Sequence, residues 1–193
     1  MARLMRDSDI RAVLTAQLQR DHDGDSSTLI RQEMGLCAGE RRIDIAVING
    51  QLGGFEIKSD YDTLARLADQ ATAYGRVLDQ ATLVTTQRYL TPATDILPDW
   101  WQIMCAQVEE AGVTLTSVRA GQENEEQDPM AVAQLLWRDE ALQELRARGL
   151  AQGMTNKRRW LIWERLAAEV PLPELKQVVR DRLRVRQEWP GGR

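Results

Sequence analysis

The stretch that most constrains this chain is Arg41 to Gln70, RRIDIAVINGQLGGFEIKSDYDTLARLADQ. Ile43, Ile45 and Val47 alternate there with Arg42, Asp44 and Ala46, and Phe55 and Ile57 alternate with Glu56 and Lys58. Alternation with period two marks half-buried strands, and the glycine-rich bend between the two runs makes them neighbours. Parity then sets the register. A two-residue Asn49-Gly50 turn would pair Ile48 with Gln51 and put Asp44 opposite Phe55, mixing polar and apolar side chains on one face. An odd loop, or a bulge at Gly53 or Gly54, keeps Ile43, Ile45 and Val47 with Phe55 and Ile57. Asp44, Glu56 and Lys58 then share a face, with Asp44 opposite or diagonal to Glu56. Facing like charges are unfavourable in a sheet, so a positive group is expected between them.

The neighbouring sequence supports this pair of strands. Ser59, Asp60 and Asp62 offer N-caps for a helix reaching about Leu78, with Leu64, Leu67, Ala68, Ala71 and Leu78 on its buried stripe and Arg66, Gln70 and Tyr74 on its border. Residues 81–86 read as the next strand, and strand, helix, strand implies a right-handed crossover to a parallel neighbour. Upstream, Ile10, Val13, Leu14 and Leu18 define an amphipathic helix over 8–20, capped by Asp7 or Ser8, and 28–36 fits a short helix or a strand. The run from Asp21 to Ser27 reads as a loop, because no Glu closes a calcium-binding pattern. Downstream, 100–106 and 113–118 read as edge strands and the acidic stretch 122–128 as a loop. Helices are expected over 129–138, 139–148, 156–169 and 173–187, with a frayed end from Trp189. The predicted architecture is α/β: a mixed central sheet with flanking helices in a core over 1–120, an acidic linker at 121–128, and a helical C-terminal extension over 129–193 packed on the core.

Composition narrows the chemistry. The 193 residues include one His, and two cysteines, Cys37 and Cys105, without CxxC spacing. A lone His22 removes the usual general base and zinc ligand, leaving carboxylates and lysine for any hydrolytic work. The absence of a signal peptide or long apolar run reads as a reduced, cytoplasmic protein without membrane association; a homodimer is left open. The formal net charge of -4 is unevenly spread, with 13 basic against 8 acidic side chains in residues 138–193. Lys157, Arg158 and Arg159 open one C-terminal helix, and Arg180, Arg182, Arg184 and Arg186 alternate near the end. Such side chains can neutralise phosphates, or simply keep the helices soluble while Trp160, Trp163 and Leu166 form core. Trp100, Trp101 and Trp137 read as packing anchors rather than base-stacking platforms.

An Asp on one strand and a Glu-x-Lys on its neighbour can hold a hard divalent cation, which takes carboxylate oxygens and retains waters beside phosphate oxygens. Lys58 points to the same face as Glu56 and can stabilise an attacking hydroxide or charge growing on a phosphate. The bland counterpart is a surface ion pair worth about 0.2–1 kcal/mol. The set Asp44 … Glu56-Ile57-Lys58 … Gln70, with Glu33 upstream, resembles the PD-(D/E)xK, or restriction-endonuclease-like, nuclease superfamily. More narrowly it resembles a small bacterial family of unsettled role within that superfamily, closely over Leu29 to Val84 and again at the later DWW and LLW segments. The resemblance implies a restriction-endonuclease-like core with Asp44, Glu56 and the Ile57 carbonyl as ligands of Mg²⁺ or Mn²⁺. It further implies Lys58 as the residue that orients or activates water, and Glu33 and Gln70 as additional site residues. Ile43 stands where the motif has proline. The implied function is a metal-dependent nuclease acting on nucleic acid, DNA in the first instance. The alternative is an inactive nuclease-like module that binds nucleic acid or a protein partner.

Overall fold

A computed structural model describes residues 4–110, 112–187 and 189; the expected frayed end over 190–193 lies outside the described residues. Six strands, β1 (Leu29–Leu36), β2 (Arg41–Ile48), β3 (Leu52–Lys58), β4 (Gln80–Thr86), β5 (Gln102–Glu109) and β6 (Gly112–Arg119), form one sheet in sequence order. β1, β2 and β3 are antiparallel, β3, β4 and β5 are parallel, and β6 returns antiparallel to β5. The parallel steps are made by α2 (Leu67–Gly75) and α3 (Leu90–Ile96). The fold is therefore α/β, with a mixed sheet flanked by helices and a helical C-terminal region.

One face of the sheet carries α1 (Asp7–Asp21), whose Ile10, Leu14 and Leu18 pack on Ile45, Val47, Ile57, Val84 and Met104. The other face carries α2, α3 and four C-terminal helices: α4 (Pro129–Ala133), α5 (Arg138–Ala147), α6 (Arg159–Glu169) and α7 (Leu172–Val185). Leu136, Leu145, Ile162, Trp163 and Leu183 join Ala46, Ile48, Leu83 and Ile103 in a single buried cluster there. The segment between β6 and α4 is pinned rather than free. The Asn124 side chain donates to the Gly75 and Leu78 carbonyls at 2.6 and 2.9 Å, and Asp128 caps α4 by accepting from Met130 N–H at 2.8 Å. Among the described residues, no helix is long and apolar enough to cross a membrane. Cys37 and Cys105 are buried free thiols, and burial pushes both upward in pKa.

The expected odd loop is present. Ile48 pairs with Leu52 across the three residues Asn49 to Gln51, and Ile45 pairs with Phe55. No bulge is needed at Gly53 or Gly54, which pair regularly with Val47 and Ala46. One side chain departs from the expectation: Ile43 leaves the face of Ile45 and Val47 and packs in the opposite cluster beside Gly54. The cause lies at its neighbours. Glu33 has a left-handed backbone (φ 56) and Asp44 forms no ladder pair with it, so the alternation breaks there.

The helix expected from Ser59 begins only at Leu67. Asp62 Oδ2 accepts from the Ser59 N–H (2.8 Å) and hydroxyl (2.6 Å), and Asp60 accepts from Met5 N–H and the Thr86 hydroxyl. The polar residues that looked like N-caps instead tie a loop to the sheet and to the approach of α1. That loop carries the chain from the end of β3 to α2, and the candidate site residues Glu56, Lys58 and Gln70 sit on either side of it.

Candidate active site

Asp44 stands where β2 and β3 part. Their ladder ends at Ile45 and Phe55, and the Asp44 carboxylate takes over, with Oδ2 accepting from Ile57 N–H at 2.8 Å. Oδ1 accepts from Arg11 Nη2 at 2.8 Å, and Arg11 also contacts Asp7 (2.9 Å) and Glu33 (3.4 Å). Arg11 therefore reaches from α1 into a group of three acids. Burial works against its charge, but hydrogen bonds from the guanidinium to Asp7 and Asp44 outweigh that and push its pKa above the ordinary range.

Glu56 lies two positions along β3 from Lys58, on the face covered by α2. It is 3% exposed and Lys58 is 5% exposed. Its Oε1 accepts from Lys58 Nζ and from Gln70 Nε2, each at 2.5 Å. Its Oε2 contacts the Tyr74 hydroxyl at 2.6 Å, while the same hydroxyl lies 2.8 Å from the Arg42 carbonyl. The single hydroxyl proton thus faces two acceptors. Burial raises the Glu56 pKa first; Lys58 opposes that shift and Asp44 adds to it. The positive group expected between the acids is two groups, Arg11 on Asp44 and Lys58 on Glu56.

All five residues singled out in the sequence line one cleft of about 1120 Å³: Glu33, Asp44, Glu56, Lys58 and Gln70, together with Ile57. Glu33, in a strand rather than a helix, is half exposed and pairs with Arg42 at 3.1 Å. The C-terminal cations divide. Arg159 lines the cleft with its guanidinium 5.2 Å from the Trp163 ring centre, Lys157 lines a separate shallow groove with Met154 and Leu161, and Arg158 is exposed at the start of α6.

The second arginine cluster is committed to the protein itself. Arg180 pairs with Asp79 at 3.3 Å, Arg182 with Glu144, Arg184 with Asp181 at 2.6 Å and Arg186 with Glu140. These side chains fasten helices rather than wait for phosphates. Trp160, expected in the core, is 56% exposed, while Trp163 and Leu166 are buried. Trp101 is a buried anchor stacked on Tyr74, but Trp137 is 38% exposed and faces the cleft.

Three contributors escaped the sequence reading. Arg11 carries no local signal of its role, because its site partners Glu33 and Asp44 lie far along the chain in other elements, and only Asp7 is on its own helix. Tyr74 was visible only as a polar tip on the border of a helix stripe. Trp137 looked like any other tryptophan of a packed core.

The donor set suits a hard divalent ion. Among the described residues no group of three or more acids, His and Cys is arranged around a common metal position; the available ligands are the two carboxylates and the Ile57 carbonyl. Mg²⁺ is commonly held by one or two carboxylates with waters completing its shell. Asp44 lies close enough to Glu56 for its charge to raise the Glu56 pKa, the electrostatic condition that a cation relieves.

The fold and cleft define an α/β protein with paired carboxylates and a lysine at the end of a central strand. The chain belongs to the bacteriophage P4 protein cII family, whose sequence pattern matches residues 1–189. Protein cII of Enterobacteria phage P4 is 34% identical over 89 residues, covering 46% of this chain and 33% of that relative. The matched stretch therefore spans about a third of the relative's length. Among solved structures, the SPO1766 protein of unknown function from Silicibacter pomeroyi matches with a TM-score of 0.45 at 18% identity, over 80% of this chain and 99% of that one.

Proposed function

We propose that the protein is a metal-dependent phosphodiesterase of the PD-(D/E)xK type, with a restriction-endonuclease-like core, acting on nucleic acid. The observation that carries this reading is the convergence of Asp44, Glu56 and Lys58 in one cleft, with the Lys58 ammonium 2.5 Å from a nearly buried Glu56. A Mg²⁺ or Mn²⁺ ion held by Asp44, Glu56 and the Ile57 carbonyl would supply Lewis-acid polarisation of a phosphate and a more acidic water. The chain supplies the rest. Lys58 brings a desolvated positive charge to the site, suited to holding a water or steadying charge on a phosphate oxygen. Gln70 and Tyr74 fix the two oxygens of Glu56, and Arg11 fixes Asp44, so the acids are oriented before any substrate arrives.

Incubation of the protein with Mg²⁺ or Mn²⁺ and mixed DNA and RNA substrates tests the reading. Wild type should cleave, Lys58→Ala should fall by about 10²–10³ in rate, and Asp44→Asn should lose Mn²⁺ binding. Absence of cleavage by wild type, or equal cleavage by both variants, would end it.

One observation favours a second reading, a nuclease-like module that binds nucleic acid or a protein without cutting. Arg11 and Lys58 already neutralise Asp44 and Glu56 within the protein. Under that reading partner binding is indifferent to chelator, and Mn²⁺ titration shows no Asp44-dependent site.

A further inference from the structure

The cleft is larger than hydrolysis of one bond requires. Its volume of about 1120 Å³ exceeds the range of roughly 300–1,000 Å³ usual for small-molecule sites. Glu56 and Lys58 lie almost wholly buried on its floor, and its far wall is built from the starts of α5 and α6 and the end of α7.

Trp137 projects from that wall. Its backbone N–H donates to Glu140 at 2.7 Å, and the Arg186 guanidinium lies 4.7 Å from its ring centre. Arg186 is itself paired with Glu140 and lies 5.0 Å from the Trp189 ring centre. One side of the indole is thus backed by a fixed cation, and the ring still keeps 38% exposure on the cleft. A core anchor has no use for that exposure; a stacking platform does.

Three exposed arginines stand on the rim: Arg41 at the start of β2, Arg66 just before α2 and Arg159 at the start of α6. Among the described residues none of the three has a carboxylate partner, whereas Arg138 and Arg186 on the same cleft do. Among the described residues Arg41 donates only to the Glu40 carbonyl, and Arg159 lies over Trp163. Unpaired guanidiniums from three separate elements around one opening match the spaced charges of a polyanion.

From these features we infer that the cleft receives a single-stranded segment of nucleic acid, with phosphates on Arg41, Arg66 and Arg159 and one unstacked base on Trp137. A duplex keeps its bases stacked on one another and offers no free face to an indole. A single strand can pass its backbone down to the buried floor. The inference rests on the phosphodiesterase reading for why a phosphate should approach Lys58, but the binding it describes does not require cleavage.

The test is fluorescence anisotropy of labelled oligothymidylate, oligouridylate and a blunt DNA duplex of equal length, in EDTA, followed by cleavage of the same substrates with Mn²⁺. At least one single strand should bind ten or more times tighter than the duplex, and which one does so identifies the sugar. Trp137→Ala should weaken single-strand binding by about tenfold or more, and Trp137→Phe should retain most of it. Arg159→Gln should lower the slope of log K against log salt by about 0.7, the value for one single-strand phosphate contact. Equal or tighter duplex binding, no binding of either strand, or full binding by a Trp137→Ala protein of unchanged circular dichroism would overturn the inference. The two ideas fail separately. Trp137-dependent binding without cleavage sinks the phosphodiesterase reading alone, and Trp137-independent cleavage of duplex sinks the single-strand inference alone.

Discussion

Tyr74 shows how much of the site depends on a residue that no motif marks. Its ring stacks on Trp101 at a centroid distance of 5.8 Å, and its hydroxyl spans Glu56 Oε2 and the Arg42 carbonyl. Tyr74→Phe keeps the stack and removes only the oxygen. On the proposed reading that Glu56 holds a metal, loss of a group that orients a ligating carboxylate typically changes affinity or activity by 10- to 100-fold, so Mn²⁺ affinity measured by calorimetry should fall by about that factor. Gly54 makes the complementary point about space. A Cβ there would lie 2.0 Å from Ile43 Cδ1 and 2.6 Å from Leu78 Cδ1, both buried. Gly54→Ala should therefore cost about 1–3 kcal/mol through overpacking, read as a lower urea midpoint. The glycine is required because Ile43 has crossed to that face. The sequence revealed a glycine-rich bend but not this packing, since the displacement of Ile43 originates in the backbone of Glu33.

At the scale of elements, legibility followed the range of the forces involved. β2, β3 and the loop between them were readable because parity is a local constraint; it placed Asp44 opposite or diagonal to Glu56, and the ladder ends just before that pair, at Ile45 and Phe55. β1 was ambiguous because Glu33 interrupts its alternation with a left-handed residue. α3 was missed; Pro92 lies within its first turn, where proline is tolerated. The starts of α1 and α2 moved because polar side chains served other partners: Asp9 accepts from Arg6 N–H, and Asp62 from Ser59. The alternating arginines at the end of the chain were legible as residues but not as contacts, since only Arg184 finds its acid, Asp181, within α7, and the acids of Arg180, Arg182 and Arg186 lie outside it. Glu144 is the clearest of these, accepting from Arg148 at 2.7 Å and from Arg182 of α7. Burial would raise its pKa, but the hydrogen bonds from Arg148 and Arg182 prevail and hold it below the ordinary value of 4.5. A carboxyl held below its unfolded pKa adds stability at all pH above that unfolded value, and the gain vanishes as pH falls through the folded value. Glu144→Gln should accordingly cost about 1.5–3 kcal/mol near neutrality. Its deficit against wild type should close progressively below about pH 4.5, in a series of thermal melts.

Across the whole molecule, the uneven charge resolves into attachment. Asp79, almost wholly buried before β4, accepts from Leu52 N–H at 2.7 Å and pairs with Lys176 at 2.5 Å and Arg180 at 3.3 Å, so α7 is fastened to the sheet beneath it. The C-terminal region supplies Leu136, from the turn between α4 and α5, and the helix residues Ile162, Trp163 and Leu183 to the cluster that covers Ala46 and Leu83. A chain ending at residue 128 would keep α2 and α3 but leave the rest of that sheet face in water. It should show no cooperative thermal transition and should bind the hydrophobic dye ANS, as proteins with exposed cores do; a sharp melt near the wild-type temperature would contradict this. The helices also carry Trp137 and Arg159, so the cover of the core and the far wall of the cleft are one structure.

The Asp44 carboxylate stands in for a missing rung of the β2–β3 ladder, its Oδ2 accepting the Ile57 amide proton while the residue lines the cleft. That proton is a spectroscopic probe placed by the fold. Whatever binds Asp44 must alter the hydrogen bond to Ile57, so a single ¹⁵N-labelled amide, followed by chemical shift or exchange rate, reports occupancy of the site without any substrate present.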